Sequence, residues 1–241
     1  MWDKPDTLRQ LANTLFGISF MLMLYGALHY VLRLPEFSLR AVQLSAAPHR
    51  VDAVRVEAVV RNELHGNFFT TDLENVQHAF EKLPWVRKVS VRRHFPWSLE
   101  VDMEEHVALA HWNSAEFVNT YGEVFAVVGE NQKLPKFIGQ PGTAAEVTQG
   151  YRTFGGQLAP LKQEIAQISL SPRHAWQLRL GNGMVLELGN EQSQQRLARF
   201  VAVYPYSLAP MQRPVNYVDL RYHNGFAAYL PGYTVEKMKQ G

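Results

Sequence analysis

The stretch VRKVSVRRHFPWSLEVDMEE, Val86–Glu105, carries the alternating pattern that decides the fold of the first half of the chain. In its first part valines alternate with basic or polar residues, and in its second part Leu99, Val101 and Met103 alternate with acidic residues. A period of two predicts two strands, each with one buried face and one charged face. The charged faces have opposite sign, so pairing the strands as a hairpin would add ~0.2–1 kcal/mol per cross-strand pair.

Two helices are predicted before this hairpin. In VDAVRVEAVVRNELHG, residues 51–66, Asp52 is a candidate N-cap ahead of a helical pattern. In TTDLENVQHAFEKLP, residues 70–84, apolar residues recur at helical spacing and a proline ends the segment. Either Thr71 or Asp72 can cap this second helix.

The remaining pattern divides the chain into two units. A strand in FSLRAVQLS, residues 37–45, completes a unit of order β-α-α-β-β over residues 37–106, in which two helices cover a short open sheet. Residues 107–241 form a second, mixed and strand-rich unit. Its FVNTYGEVFAVV, residues 117–128, and AWQLRLGNGMVLELG, residues 175–189, predict hairpins around Tyr-Gly and Asn-Gly turns. The fold class expected for the whole chain is therefore α+β.

Two helices are predicted in the second unit. TAAEVTQGYRTFGGQLAPL, residues 143–161, is expected to be a helix that begins at a threonine cap and breaks near Gly155-Gly156. EQSQQRLARFVAVYP, residues 191–205, is expected to be a helix with one apolar face that ends at Pro205.

The segment LFGISFMLMLYGALHYVL, Leu15–Leu32, contains no charged residue. At ~1.5 Å per residue it spans most of a ~30 Å hydrocarbon core. We expect a transmembrane helix over residues 12–34 behind a short N-terminal tail, residues 1–11. A cleaved signal peptide, whose apolar region is typically ~7–15 residues, and a buried core helix are the alternatives. Charge leaves the orientation open, because two basic residues precede the segment and two follow it, Lys4, Arg9, Arg33 and Arg40.

No catalytic, cofactor or metal site is predicted. The chain has no cysteine and lacks the nucleophile-elbow, zinc-helix and phosphate-loop motifs. Glu104 and His106 share one strand face, but two ligands fall short of the roughly four that a structural zinc site uses. The net charge of +2 gives no indication of nucleic-acid binding. We therefore expect neither an enzyme nor a small-molecule site.

The basic residues of the first hairpin allow two interpretations. In the first interpretation they contact anionic lipid headgroups or a partner domain. In the second they form a solvated face and pair with Glu100 and Asp102. The second is favoured, because ion pairs on protein surfaces are common and contribute little to stability. Trp85 and Trp97 flank the hairpin, and core packing is expected for Trp85. The basic residues concerned are Arg87, Lys88, Arg92 and Arg93.

The end of the chain, YVDLRYHNGFAAYLPG, Tyr217–Gly232, predicts a last hairpin with an Asn-Gly turn. Its second strand, Phe226–Leu230, has none of the lysine, proline or bulges that usually protect an edge. A partner could add a strand to this edge, with Tyr222 and Phe226 as aromatic anchors and Arg221 pairing with an acidic partner residue. The alternative is cover by a helix or by the eleven residues that follow Leu230. The candidate partner-binding residues are Arg221, Tyr222, Asn224, Gly225, Phe226, Ala227, Ala228 and Tyr229.

The chain from the end of the apolar segment to Tyr229 resembles the FtsQ/DivIB family of bacterial cell-division proteins, and five stretches in order carry this resemblance. They are LPWVRKVSVRRHFPWSLEVDMEEHVALAHW, NTYGEVF, SPRHAWQLRLGNGMVLELG, QRLARFVAVYP and YVDLRYHNGFAA. The chain departs from the family pattern at His106-Val107, Asn119, Asn190 and Phe226.

This resemblance implies a POTRA domain over residues 37–106 and the family's β domain over residues 107–241. It implies a single-pass type II protein of the inner membrane, with its bulk in the periplasm, enriched at the division septum. The implied role is a divisome scaffold that binds FtsB and FtsL beside other divisome membrane proteins, with FtsB pairing with the last strand and the POTRA domain aiding recruitment. Rival functions are an outer-membrane biogenesis component, since POTRA domains occur there, and a membrane-anchored periplasmic cell-wall enzyme.

Overall fold

The computed structural model describes residues 5–127, 132–211 and 213–231. The chain divides into two compact units, Met1–Glu105 and His106–Gly241. Residues 1–4 of the predicted tail, the end of the predicted hairpin over residues 117–128 and the tail that was considered as cover for the last strand lie wholly or partly outside the described residues.

The first helix, α1, spans Pro5–Leu32. Its 28 residues give a length of about 42 Å. The apolar part, Leu8–Leu32, is long enough to cross a membrane, and none of it is buried inside the protein. A buried core helix is therefore excluded as an interpretation of this segment. The helix also takes in residues 5–11, which the sequence had assigned to a tail.

The rest of the first unit has the predicted order β-α-α-β-β. A short 3-10 helix, Pro35–Phe37, follows α1. The strands of the first unit form a three-stranded sheet of order β1-β3-β2, in which β1 is parallel and β2 antiparallel to β3. The elements are β1 (Ala41–Leu44), α2 (Ala53–Glu63), α3 (Leu73–Glu81), β2 (Val86–His94) and β3 (Ser98–Glu105).

Local interactions explain why these elements begin where they do. The Asp52 carboxylate accepts a hydrogen bond from the Val54 N–H at 2.9 Å and caps α2. Of the two cap candidates for α3, Asp72 is the cap, because its carboxylate accepts from the N–H of Glu74 at 3.0 Å. Thr71 instead donates its hydroxyl to the carbonyl of Asn67. Both caps satisfy backbone donors that a helix start leaves unpaired.

The β2–β3 register places basic residues opposite acidic ones, as predicted. Lys88 lies opposite Glu104, and Arg92 opposite Glu100. Arg87 forms an ion pair of 2.8 Å with Glu104. Trp85 is buried, as expected.

The second unit contains one nine-stranded sheet of order β12-β11-β10-β9-β8-β7-β4-β5-β6. Two helices, α4 (Ala144–Leu158) and α5 (Ser193–Ser207), pack with the sheet around a single apolar core. Each helix is followed by a 3-10 helix, Ala159–Leu161 and Ala209–Met211. The strands are β4 (Ala108–Trp112), β5 (Glu116–Asn119), β6 (Val124–Phe125), β7 (Lys136–Ile138), β8 (Ile165–Leu170), β9 (Trp176–Leu180), β10 (Val185–Gly189), β11 (Tyr217–Asp219) and β12 (Ala227–Tyr229).

Two predicted helix features are wrong. The helix α4 does not break at Gly155-Gly156 but continues to Leu158, because Phe154 and Leu158 are buried in the core on either side of the glycines. The helix α5 continues past Pro205 to Ser207. Leu208 holds this last turn, since its N–H donates to the carbonyl of Tyr204 at 3.2 Å and its side chain is buried.

Candidate functional site

The strand β12 is an edge strand of the nine-stranded sheet. Among the described residues it pairs with β11 alone, with Tyr217 opposite Tyr229 and Asp219 opposite Ala227. An edge strand leaves one row of backbone N–H and C=O groups without a neighbouring strand. The position of β12 therefore meets the first requirement for strand addition by a partner.

The last hairpin differs from its predicted form. The strand is shorter than the predicted Phe226–Leu230, and the connection is not a two-residue Asn-Gly turn, because residues 220–226 join the two strands. A two-residue turn of the predicted type needs positive φ at both central residues. Neither Asn224 nor Gly225 has a positive φ. Both lie in a longer loop whose shape is set by other contacts.

The first of these contacts joins Arg221 to Asp219. The guanidinium donates to both carboxylate oxygens, with Nε–Oδ1 at 2.9 Å and Nη2–Oδ2 at 2.7 Å, and the Arg221 N–H donates to Oδ1 at 3.0 Å. These bonds hold the pKa of Asp219 below its usual value, although burial acts in the opposite direction. Arg221, predicted to pair with a partner, thus already has an acidic partner within the chain. Its side chain is still 57% exposed.

The second group of contacts ties the loop to α5. The guanidinium of Arg199 donates to the carbonyl of His223. The ring of Phe226 packs edge-to-face on Phe200, with centroids 5.7 Å apart and an interplanar angle of 80°. Phe226 is therefore half-buried and lies outside β12. Its ring packs against the core of the second unit, and its role as an aromatic anchor for a partner stays a prediction.

Two tyrosines remain as exposed aromatic side chains at this edge. Tyr222 is 58% exposed and Tyr229 is 61% exposed. Tyr229 lies in β12 itself, opposite Tyr217. Large exposed aromatic rings beside an open strand edge are typical anchors of protein interfaces.

Backbone directions show which residue of β12 presents its polar groups to the open side. The N–H of Asn216, the residue before β11, donates to the carbonyl of Tyr229 at 3.2 Å. The Tyr229 carbonyl therefore faces β11. Ala227 and Tyr229 lie opposite Asp219 and Tyr217 of β11. Since directions alternate along a strand, the N–H and C=O of Ala228 point away from β11.

A cavity of about 450 Å³ adjoins this edge between α5 and the loop. The cavity was not predicted from the sequence, because its walls come from two segments that are distant in the chain, α5 and the loop before β12. Its rim is basic, and its floor is apolar. Among the lining residues are Arg196, Arg199, Phe200, Val203, His223 and Phe226. Such a cavity suits an apolar partner side chain flanked by acidic residues.

The two acidic-end residues weighed as metal ligands, Glu104 and His106, each contact other side chains of the protein. Glu104 is engaged with Arg87. His106 stacks on Phe125 at 4.2 Å, and its Nδ1 lies 2.9 Å from the amide nitrogen of Asn119. Within the described residues no group of three or more histidine, aspartate or glutamate side chains is placed to hold a metal ion.

Comparison with family models matches both units. The model described as "Cell division protein FtsQ/DivIB, C-terminal" matches residues 110–221. The model described as "POTRA domain, FtsQ-type" matches residues 37–106. The first match ends at Arg221, so β12 lies beyond it.

Similar proteins named "Cell division protein FtsQ" cover most of the chain. The protein of Nitrosospira multiformis is 41% identical over 233 residues, which are 95% of this chain and 98% of that protein. The protein of Burkholderia pseudomallei is 37% identical over 238 residues, 96% of this chain and 95% of that protein. The protein of Escherichia coli is 38% identical over 185 residues, 74% of this chain and 67% of that protein. These matches confirm the resemblance inferred from the sequence motifs.

Proposed function

Because the chain belongs to the FtsQ/DivIB family of cell-division proteins, we propose that it is a non-enzymatic, membrane-anchored scaffold of the divisome that binds FtsB and FtsL. In this proposal α1 is the anchor of a single-pass type II protein of the inner membrane, and its length and apolar composition support that role. Both folded units then lie in the periplasm, and the protein concentrates at the septum, where it links early and late division proteins.

The observation that carries this proposal is the edge at β12, which pairs with no strand other than β11 among the described residues. A strand of FtsB adds to Ala227–Tyr229 and pairs with the outward N–H and C=O of Ala228. Tyr222 and Tyr229 pack on the added segment, and Asn224 and Gly225 shape the loop beside it. The basic cavity between α5 and the loop receives a side chain of the same partner.

The test compares two substitutions at Ala228 in the full-length chain. Ala228→Pro removes the N–H that faces the open edge, while the hydrogen bonds from β11 to Ala227 and Tyr229 stay in place. Proline is tolerated on an edge strand when its missing N–H faces away from the sheet. We expect Ala228→Pro to lower the affinity for the FtsB–FtsL complex at least about tenfold, the loss that corresponds to ~1.4 kcal/mol.

Ala228→Ser is the matched control, because it keeps the N–H and nearly the same side-chain volume. We expect it to co-purify FtsB and FtsL as the natural chain does. Hydrogen exchange of β9 to β11 checks that the proline variant is folded. A folded proline variant that captures FtsB and FtsL with unchanged affinity would exclude β12 as the binding edge.

A further inference from the structure

An aromatic cluster surrounds Trp97 in the connection between β2 and β3. The Trp97 ring lies 5.0 Å from Phe37, 5.4 Å from Phe68, 6.0 Å from Phe69 and 5.6 Å from Phe95, measured between ring centroids. Although Phe68 is buried, Phe95 is 72% exposed and Phe69 is 44% exposed. We call these five residues the Trp97 cluster. An exposed aromatic group of this size marks an interaction surface.

The Trp97 cluster is tied to the end of α1. The side-chain amide of Asn67 donates to the carbonyl of Leu32, the last residue of α1, at 2.7 Å. Asn67 is buried, and Phe68 and Phe69 follow it directly. Since consecutive Cα atoms are ~3.8 Å apart, the Cα atoms of both phenylalanines lie within about 8 Å of the Asn67 Cα.

Two backbone hydrogen bonds also join the segment that follows α1 to the Trp97 cluster. The N–H of Phe68 donates to the carbonyl of Phe37 at 2.9 Å, so the segment that leaves α1 lies against the Asn67 loop. The N–H of Arg40 donates to the carbonyl of Trp97 at 2.9 Å. The Trp97 cluster is therefore held beside the end of the apolar helix by backbone bonds rather than by a free linker.

This position corresponds to the headgroup layer of a bilayer. The apolar part of α1 ends at Leu32. A hydrocarbon core of ~30 Å within a bilayer of ~40–45 Å leaves a headgroup layer of roughly 5–8 Å on each side. Tryptophan and other aromatic side chains favour this layer, because it accommodates an apolar ring beside polar groups.

Three arginines lie around the same point. Arg33 follows α1 directly, and Arg40 is bonded to Trp97 through its backbone. Arg93 donates from Nε to the carbonyl of Phe68 at 2.6 Å and from Nη2 to the carbonyl of Thr71 at 2.8 Å. All three residues are exposed; Glu36 is the acidic residue nearest in the chain to Arg33 and Arg40, and Glu100 is the one nearest to Arg93. The excess of positive charge favours anionic headgroups, at ~1 kcal/mol per arginine near the surface.

We infer that the Trp97 cluster is a second membrane contact, which inserts Phe69 and Phe95 into the headgroup layer of the bilayer that α1 spans. The first unit is then held on the membrane at a fixed orientation by two attachments, the helix and the Trp97 cluster. Its occupant is an anionic lipid surface. This inference rests on the proposed anchoring by α1.

The absence of cysteine from the chain allows a test with single labels. A nitroxide is attached at His94→Cys beside the Trp97 cluster, in the full chain in nanodiscs of phosphatidylcholine and phosphatidylglycerol. Reference labels are placed at Met21→Cys in α1 and at His49→Cys. The N–H of His49 bonds to Glu105, at the end of β3 roughly 23 Å from Ser98. The measured quantity is the ratio of accessibility to oxygen and to an aqueous nickel complex.

We expect the ratio at position 94 to shift toward the value at position 21, while position 49 keeps an aqueous value. The double substitution Phe69→Ser, Phe95→Ser in the His94→Cys chain should abolish this shift. Tyr206→Ser in the same chain removes an exposed aromatic ring of α5 and should leave the shift unchanged.

Three results would overturn the inference. If position 21 is immersed and position 94 stays aqueous, the Trp97 cluster does not touch lipid, although the anchoring stands. If position 21 is itself aqueous, the proposed anchoring fails and the inference fails with it. If position 94 becomes protected only after another division protein is added, the surface binds protein instead of lipid.

Discussion

Glu105 closes the first unit through three backbone hydrogen bonds. Its Oε1 accepts from the N–H groups of His49 at 3.1 Å, Arg50 at 2.9 Å and Val51 at 3.0 Å, so the end of β3 is joined to the segment before α2. Burial alone would raise the pKa of Glu105. The three N–H groups outweigh burial, and its pKa lies below the ordinary value of 4.5.

This arrangement predicts a pH-dependent contribution to the stability of the first unit. A carboxyl group whose folded pKa is lowered stabilises the fold above its unfolded pKa and loses this contribution as pH falls through the folded pKa. We expect Glu105→Gln to cost about 1–2 kcal/mol at neutral pH, because a neutral acceptor replaces a charged one. Urea denaturation of the full chain in detergent measures the difference. Glu63→Gln, at an exposed position of α2, is the control.

Urea denaturation at a series of pH values tests whether the charge on Glu105 causes that difference in stability. The gap in the free energy of unfolding between the natural chain and Glu105→Gln should narrow as pH falls from about 4.5, the ordinary pKa, through the lowered pKa at which the folded carboxyl group becomes protonated. A gap that is the same at acidic and neutral pH would show that charge on Glu105 is not what stabilises this junction.

At the scale of the element, two glycines of α4, Gly150 and Gly156, have different surroundings. A Cβ built on Gly150 would lie 2.7 Å from Cη2 of Trp176, whereas a Cβ on Gly156 would meet nothing within 4 Å. Trp176 cannot move freely, because it is buried and packs edge-to-face on Phe154 with centroids 5.3 Å apart. Gly150 therefore permits the close approach of α4 to the sheet, and Gly156 has no such role.

We expect opposite effects from the same substitution at these two sites. Gly150→Ala should destabilise the second unit by about 1–3 kcal/mol through overpacking. Gly156→Ala should stabilise it by about 0.5–1 kcal/mol, because alanine is the better residue inside a helix. Thermal denaturation of both variants measures the effects. Equal shifts in the two variants would contradict the contact between Gly150 and Trp176.

The helix α4 also shows which kind of feature the sequence alone does not predict. Alternation and N-caps act between residues close in the chain, so the β2–β3 hairpin and the starts of α2 and α3 were predictable. The continuity of α4 through Gly155-Gly156 depends on burial of Phe154 and Leu158 against a sheet that the local pattern does not contain. A glycine pair that would end an isolated helix is tolerated because tertiary packing holds the helix on both sides.

At the scale of the whole molecule, only part of the candidate site was predictable from the sequence. The edge position of the last strand followed from its composition and its place in the chain. The loop shape did not, because it depends on Arg199 bonding to His223 and on Phe200 packing on Phe226. These pairs join a helix to a loop more than twenty residues later, and the Asn-Gly rule considers only neighbours. The basic cavity was missed for the same reason.

The division into two units predicts that anchoring and partner binding are separable. The helix α1 belongs to the first unit and β12 to the second. We expect that replacing residues 5–32 with an unrelated apolar helix of equal length leaves the capture of FtsB and FtsL within about twofold, below ~0.5 kcal/mol. Co-purification from membranes measures capture. The Ala228→Pro substitution should lower capture in the replaced chain as it does in the natural chain. Loss of capture from the helix replacement alone would show that α1 itself binds the partners.

The parallel pairing of β10 and β11 has a consequence for biosynthesis. Two parallel neighbours need a crossover, and α5 supplies it, so β11 and β12 both follow α5 in the chain. The strand β12 pairs with β11 and is the last strand of the described residues. A ribosome product that stops before β12 lacks the edge that this strand offers. Recruitment through β12 would therefore select finished molecules and exclude incomplete ones from the division site.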